Sequence, residues 1–287
     1  MPELPEVETM CRGIAAVSGC RIRAVRFPRS RLRPIALKPS ADLIARCLRG
    51  DTIVGVGRRG KRAVLELDSG RRLVIEPRMT GRVLVAEPPD LEHLRLVLEL
   101  IGGQHSRLYF WDWRGLGVVR LFSQQEFERE LGPHRLGPDA LDIPLAELRA
   151  RLAKSRRPIK VALMDQRAVA GIGNLYASEI LHSAGIHPAT PCDRLSTDGW
   201  RRLHAAIRNV LRRALECQGS TLADGMYSTA ANRPGQYQEH HAVYRRAGQT
   251  CPRCRTGKIV RIVQAQRSTF YCPRCQAPKA GSGAPPG

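Results

Sequence analysis

Four cysteines stand in two identical knuckles, CPRC at 251–254 and CPRC at 272–275, with seventeen residues between them. Each CxxC turn brings two thiolates toward one metal, and Cys251, Cys254, Cys272 and Cys275 together close a tetrahedron with no position left for water. The chemistry expected there is one structural Zn2+ per chain. At the other end the chain opens MPELPEVET. Trimming of Met1 would leave Pro2 with a free secondary amine, followed by Glu3, Glu6 and Glu8. The same letters also write a helix start, with prolines in the first turn and acids at the positive end of the helix dipole. A third stretch, GVGRRG at 55–60, has the letters of a dinucleotide fingerprint but leads into KRAVLELDSG, which alternates like a strand. Without a helix at the glycines there is no pyrophosphate site. What remains is a Gly-rich β-turn that lifts Lys61 from two strands among Arg58, Arg59 and Arg62. Such a turn suits a catalytic or phosphate-contacting lysine, or else a solvated charge run.

The elements that must position these groups follow from periodicity. Apolar Val7, Met10, Cys11, Ile14 and Val17 recur at helical spacing over residues 1–19. From about 20 to 122 the runs RIRAVRF, TIVGVG, RAVLELD, RLVIE, RVLVAE, LRLVLEL, RLYFWDW and GVVRLF read as strands of a β-sandwich or barrel. LGPHRLGPDALDIP (131–144) reads as a linker, and four segments between 145 and 217 are helical in period. The expected layout is α+β and multidomain. It has an N-terminal domain over 1–130, a linker over 131–144 and a helical domain over 145–220. A polar, flexible loop region follows over 221–250, a zinc hairpin over 251–276 and a disordered tail over 277–287.

With 47 Lys+Arg against 26 Asp+Glu the chain carries +21 charges. An excess of that size asks for a polyanionic partner, with nucleic acid ahead of an anionic membrane surface. No apolar run approaches the ~20 residues of a membrane span, and the acidic opening is unlike a signal peptide. A cytoplasmic protein, associated with the nucleoid where its polyanionic partner is DNA, is expected. The scattered Cys11, Cys20, Cys47, Cys192 and Cys217 read as small buried hydrophobes.

Taken together in this order, MPELPEVET, the GRRGKR turn, PIKVALMDQRAVAGIGNLYASEIL (158–181) and QRSTFYCPRC (266–275) resemble the formamidopyrimidine-DNA glycosylase family. The resemblance runs from residue 1 to about 276. It implies a bifunctional base-excision repair enzyme that removes oxidised purines from duplex DNA and nicks the strand at the abasic site. The implied fold is an N-terminal β-sandwich and a helical domain with a helix–two-turn–helix motif and a zinc ribbon, DNA lying between the domains. It makes Pro2 the nucleophile, because a secondary amine reaches an iminium without losing a second proton. Glu3 becomes the general acid for the sugar ring oxygen. Glu6 is expected to orient the helix or to share in the chemistry, and Glu8 to be solvated. Lys61 corresponds to a residue that contacts the phosphate next to the lesion and assists proton transfer, Arg267 to one that grips phosphates and is linked to the second elimination, and Lys160 and Asn174 to further phosphate contacts. With the lesion site built within one chain, a monomer is expected. Asn174 also has the preference of a helix N-cap. Met79 and Arg114 match the residues that fill the gap left by an extruded base. Glu179 is expected as a structural anchor.

The chain departs from the family in several places. WDWRGLGVV (111–119) aligns with the family's D-P-R-x-F-G, so Leu116 stands where Phe is usual. In DLEH (90–93) Leu91 replaces a histidine and only His93 remains for DNA contact, while Ser155 takes the place of a lysine. Residues 218–250 hold no close copy of the lesion-reading loop. Two alternatives stay open: an endonuclease-VIII-like enzyme for oxidised pyrimidines, and a non-catalytic damaged-DNA-binding protein on the same fold.

Overall fold

The computed structural model describes residues 2–222 and 225–277. The expected trimming of Met1, and the expected disorder of the tail beyond residue 277, concern residues outside that set. The chain divides into two compact units, Met1–Arg135 with Ala214–Gln238, and Leu136–Arg213 with Glu239–Gly287.

The first unit begins with helix α1 (Leu4–Gly13) and a short 3-10 turn at Ala15–Val17. The helical stripe has the burial its period demands, since Val7, Met10, Ile14 and Val17 are fully buried. There follow β1 (Arg21–Arg26), β2 (Ala36–Lys38), α2 (Ala41–Leu48), β3 (Ile53–Arg59), β4 (Arg62–Leu67) and β5 (Arg72–Glu76). Then come β6 (Gly81–Leu84), β7 (Leu94–Ile101), β8 (Arg107–Asp112), β9 (Val118–Phe122) and α3 (Gln124–Leu131). They form a four-stranded sheet in the order β1-β7-β8-β6 and a five-stranded sheet in the order β2-β9-β5-β4-β3. Within the sheets only β2 and β9 run parallel. Apolar residues of α1 and of both sheets share one core, with Ile22, Leu65, Ile75, Val83, Leu98 and Phe110 among its members. This is a β-sandwich, with the first helix built into its core.

The second unit holds α4 (Leu145–Leu152), α5 (Ile159–Leu163), α6 (Asn174–Ala184), most of α7 (Thr197–Glu216) and the hairpin β10 (Val260–Gln264)–β11 (Arg267–Tyr271). Two stretches whose composition suggested looseness are packed. Leu136, Ala140 and Ile143 are buried, and Asp139 bridges Ala170. Tyr227 and Ala230 enter the core of the first unit. In both stretches polar and Gly/Pro-rich sequence disguises single apolar anchors, which set no period of their own. Among the described residues no helix is long and apolar enough to cross a membrane.

Candidate active site and metal centre

Helix α1 begins at Leu4 with Glu3 as its N-cap, and Pro5 supplies the proline of the first turn. The helix-start reading of the opening is therefore met by Pro5, and Pro2 lies outside the helix. Pro2 and Glu3 are buried. Glu6 holds them from within the first turn. Its Oε2 accepts from the Glu3 amide at 2.9 Å, and its Oε1 accepts from the Ser220 amide at 2.9 Å. Each oxygen of this buried carboxylate thus fixes one backbone segment, so Glu6 is a positioning group.

Glu8, expected to be solvated, is only 21% exposed. It accepts from Arg12 Nε at 2.8 Å and from Arg58 Nε at 2.8 Å. Arg58 in turn donates to the carbonyl of Gly60 at 2.9 Å. Gly60 has φ +59°, a left-handed turn position that glycine takes without strain, and it carries the chain into half-buried Lys61. Helix α1 and the lysine turn are therefore joined by a carboxylate–guanidinium–carbonyl relay. Burial works against the charge on Glu8, but the hydrogen bonds and charges of Arg58 and Arg12 hold its carboxyl below the usual range. The Cys11 thiol, donating to the Gly57 carbonyl at 3.2 Å, is pushed up to about 12 by burial and is inert.

Met79 and Arg114 meet, with Arg114 Nη1 donating to Met79 Sδ at 3.3 Å. The turn that carries Arg114 is pinned by Asp112. Its Oδ1 accepts from Thr80 Oγ1 at 2.5 Å and its Oδ2 from the Gly117 amide at 2.7 Å. Thr80 Oγ1 accepts from the Arg114 amide at 3.0 Å. Gly115 has φ +59° and no room for a Cβ, which would stand 2.2 Å from the Arg33 carbonyl. Leu116 is half-buried on this turn. His93 is engaged locally: Nδ1 lies 2.8 Å from Asp90 Oδ1, and the ring packs against Trp111 and Trp113 with centroids 5.5 and 6.2 Å away. Arg82, buried in β6, donates to the carbonyls of Met226 and Gly225 and to Asn232 Oδ1, tying the 225–232 segment to the first sheet.

In the second unit Lys160 Nζ donates to Asn174 Oδ1 at 2.6 Å, and Asn174 Nδ2 donates to the Ser268 carbonyl at 3.0 Å. Gly173, not Asn174, is the N-cap of α6. The asparagine side chain is drawn instead into this link between α6 and the hairpin residue that follows Arg267. Arg267 is exposed, paired with Gln264 across a two-residue turn, Ala265–Gln266, with φ 45° and 60°. Positive φ at both positions gives the tight reversal whose twist matches the flanking strands. Glu179 anchors the segment before the knuckles, accepting from the amides of Ala242, Val243 and Tyr244 at 2.9, 3.0 and 2.8 Å.

The four sulfurs of Cys251, Cys254, Cys272 and Cys275 lie within 4.8 Å of one another, with Cys251–Cys275 at 3.8 Å and Cys254–Cys272 at 3.7 Å. A tetrahedron of ~2.3 Å zinc–sulfur bonds has edges of ~3.8 Å, so the donors fit Zn2+. Amide hydrogen bonds from Thr256 and Gly257 pull the Cys254 thiol down, while burial and the neighbouring sulfurs push Cys272 and Cys275 up. His182 Nε2 stands 3.4 Å from Cys251 Sγ, joining α6 to the knuckle.

Sequence reasoning missed Glu8, Arg58, Asp112, Thr80 and Arg82 as organisers of the site. Their partners are as much as 150 residues away, and the only local signal was the i,i+4 pair of Glu8 with Arg12.

The chain thus joins a β-sandwich with a proline ahead of its first helix to a set of helices and a four-thiolate hairpin. Residues 1–119 match the formamidopyrimidine-DNA glycosylase N-terminal domain and residues 136–225 the formamidopyrimidine-DNA glycosylase H2TH domain. Residues 248–278 match the zinc finger found in FPG and IleRS. The chain belongs to the formamidopyrimidine-DNA glycosylase family. Among curated relatives it is 44% identical to the formamidopyrimidine-DNA glycosylase of Chloroflexus aurantiacus, covering 96% of this chain and 98% of that one. It is 38% identical to that of Bacillus subtilis, covering 97% and 100%. Among solved structures, the Lactococcus lactis Fpg in complex with DNA containing an abasic site superposes with a TM-score of 0.83 at 30% identity, covering 96% and 100%. The MutM (Fpg) protein of Thermus thermophilus gives 0.83 at 37%, covering 96% and 98%.

Proposed function

We propose that this protein excises oxidised purines, 8-oxoguanine and formamidopyrimidines, from duplex DNA and then cleaves the strand at the resulting abasic site. The Pro2 amine, freed of Met1, attacks C1′ of the damaged nucleoside. The N–C1′ bond forms as the glycosidic bond breaks, and the base departs with a proton. Glu3 protonates the ring oxygen as the sugar opens, leaving an iminium on Pro2. Loss of a C2′ proton then expels the 3′ phosphate, and a second elimination expels the 5′ phosphate. Hydrolysis of the iminium returns the amine.

Lys61 and Arg267 hold the flanking phosphates, a task for which a charged lysine and a forked guanidinium are suited. Lys160 and Asn174 add phosphate contacts, His93 a further DNA contact, and Met79, Arg114 and Leu116 fill the space the base leaves. Cys251, Cys254, Cys272 and Cys275 would hold Zn2+, which would keep the hairpin folded and supply no bond-making chemistry. The protein acts as a monomer.

The observation that supports this reading most is the state of Pro2. It lies outside the helix, buried beside an N-cap glutamate whose amide is fixed by Glu6. DNA binding alone asks for none of this. The test is borohydride trapping on duplexes carrying oxidised purine, oxidised pyrimidine or an abasic site. Trapped adduct on the purine and abasic duplexes is expected. A pyrimidine preference would move the enzyme to the endonuclease-VIII-like class, and no adduct on any duplex would leave a binding protein.

A further inference from the structure

Trp113 occupies the position of the proline in D-P-R-x-F-G and is 50% exposed, while Trp111 and Trp200 are 4% and 2% exposed. A half-exposed indole gives the fold little, and this one is not loosely held. The backbone on either side is fixed, by Asp112 accepting from Gly117 and by Thr80 accepting from Arg114. Its ring stands edge-on to His93, whose own ring is held by Asp90. Arg114, next in the chain, is exposed and donates to the sulfur of Met79, itself 40% exposed, at 3.3 Å. The turn thus carries an exposed indole and, next to it in the chain, a guanidinium bonded to the Met79 sulfur, while Leu116 offers no ring.

We propose that Trp113 is a base-stacking residue of the gap-filling turn, taking against its indole a nucleobase next to the extruded one. This rests on the glycosylase reading above. The indole restores the flat contact that Leu116 cannot make. Because the turn is already rigid, little ordering entropy is lost when the base arrives. Stacking of this kind tolerates any base, so Trp113 would set how easily a well-stacked duplex is opened rather than which lesion is chosen.

The test uses the full-length zinc-loaded protein with Trp113→Ala and Trp113→Phe. Two duplexes are compared, one holding 8-oxoguanine and one a stable tetrahydrofuran abasic analogue. Wild-type tryptophan emission should be quenched on binding the analogue duplex, and Trp113→Phe should lose that quenching, since the other two indoles are buried. Trp113→Ala should bind the analogue about ten-fold more weakly and slow single-turnover excision by a similar factor. Trp113→Phe should recover most of both. Unchanged quenching in Trp113→Phe, or Trp113→Ala within two-fold of wild type in both assays, overturns the inference. A wild type that neither binds nor excises would bring down the glycosylase reading and this inference with it; an active wild type with an indifferent Trp113→Ala brings down this inference alone.

Discussion

In the first unit the proposed nucleophile and the lysine turn are fixed by carboxylates. Glu6 holds two backbone amides, and Glu8 holds Arg58, which holds Gly60. In the second unit Arg267 rides on a hairpin closed by four sulfurs, whose small apolar cluster is Val243, Ile259 and Phe270 with Ala242 and Tyr244 packed against them. The sandwich core orders its site by burial, and hydrogen bonds then set the geometry. The hairpin has too small a core for that, and metal binding supplies its folding energy, about 10–16 kcal/mol in comparable zinc peptides. One site should accordingly be sensitive to single carboxylate changes and indifferent to chelators, and the other the reverse.

The sharpest test of that contrast is Pro2→Gly, with Met1 removal verified by mass. Strand nicking should vanish and the borohydride-trapped adduct fall steeply, while lesion-DNA binding persists. A trapped adduct of wild-type yield, anchored on Lys61, would overturn the assignment. Next comes Cys254→Ser, measured by zinc content and by hydrogen exchange. Zinc should drop from one per chain to none, exchange protection should be lost over 242–276 but kept in residues 2–135, and DNA affinity should fall by a factor on the order of 100 as Arg267 loses its placement. If protection in residues 2–135 collapsed as well, the two units would not be independently fixed.

Glu3→Gln should slow base removal roughly 10²–10⁴-fold, the usual worth of a placed proton donor. Nicking of a ready-made abasic site should suffer less, and single-turnover kinetics on the two substrates would show the split. Glu6→Gln puts an amide NH2 against one of two backbone donors, and the unsatisfied pair should cost about 1–3 kcal/mol. Thermal unfolding should shift down by several degrees, with zinc content unchanged. The smallest effect is expected from Leu116→Phe, where excision of 8-oxoguanine should be unchanged or modestly improved because Trp113 already supplies a ring. A large drop in excision alone would mean the turn is built around Leu116.

The parts of the molecule legible in sequence are those with a local rule. The eight strand runs, the α1 stripe and the helices after residue 144 each announce a period, and the CxxC pairs announce their ligand. Three elements had no such announcement. β2 is only three residues, too short for alternation. α2 and α3 are eight residues each, short amphipathic segments, α2 lying where strands were expected to follow one another and α3 between the last expected strand and the expected linker. Asn174 was read from its local preference, and that preference lost to Lys160 and the Ser268 carbonyl, whose hydrogen bonds claim both ends of its amide.

Residue types and short spacings are enough to say which groups are available: an amine next to the N-terminus, a lysine on a glycine turn, a ring of thiols and a large positive charge. Type sets the unperturbed proton affinity, the kind of nucleophile and the metal preference, which packing then tunes, and short spacings fix local geometry. Which carboxylate does what was settled by packing alone. Glu3, Glu6 and Glu8 share one short helix start, yet one caps the helix, one pins Ser220 and one holds Arg58. Those roles depend on which distant backbone or guanidinium group the packed core delivers to each oxygen. Pairings of that kind, separated by 50 and 214 residues, are set by sheet register and burial, which no local pattern encodes.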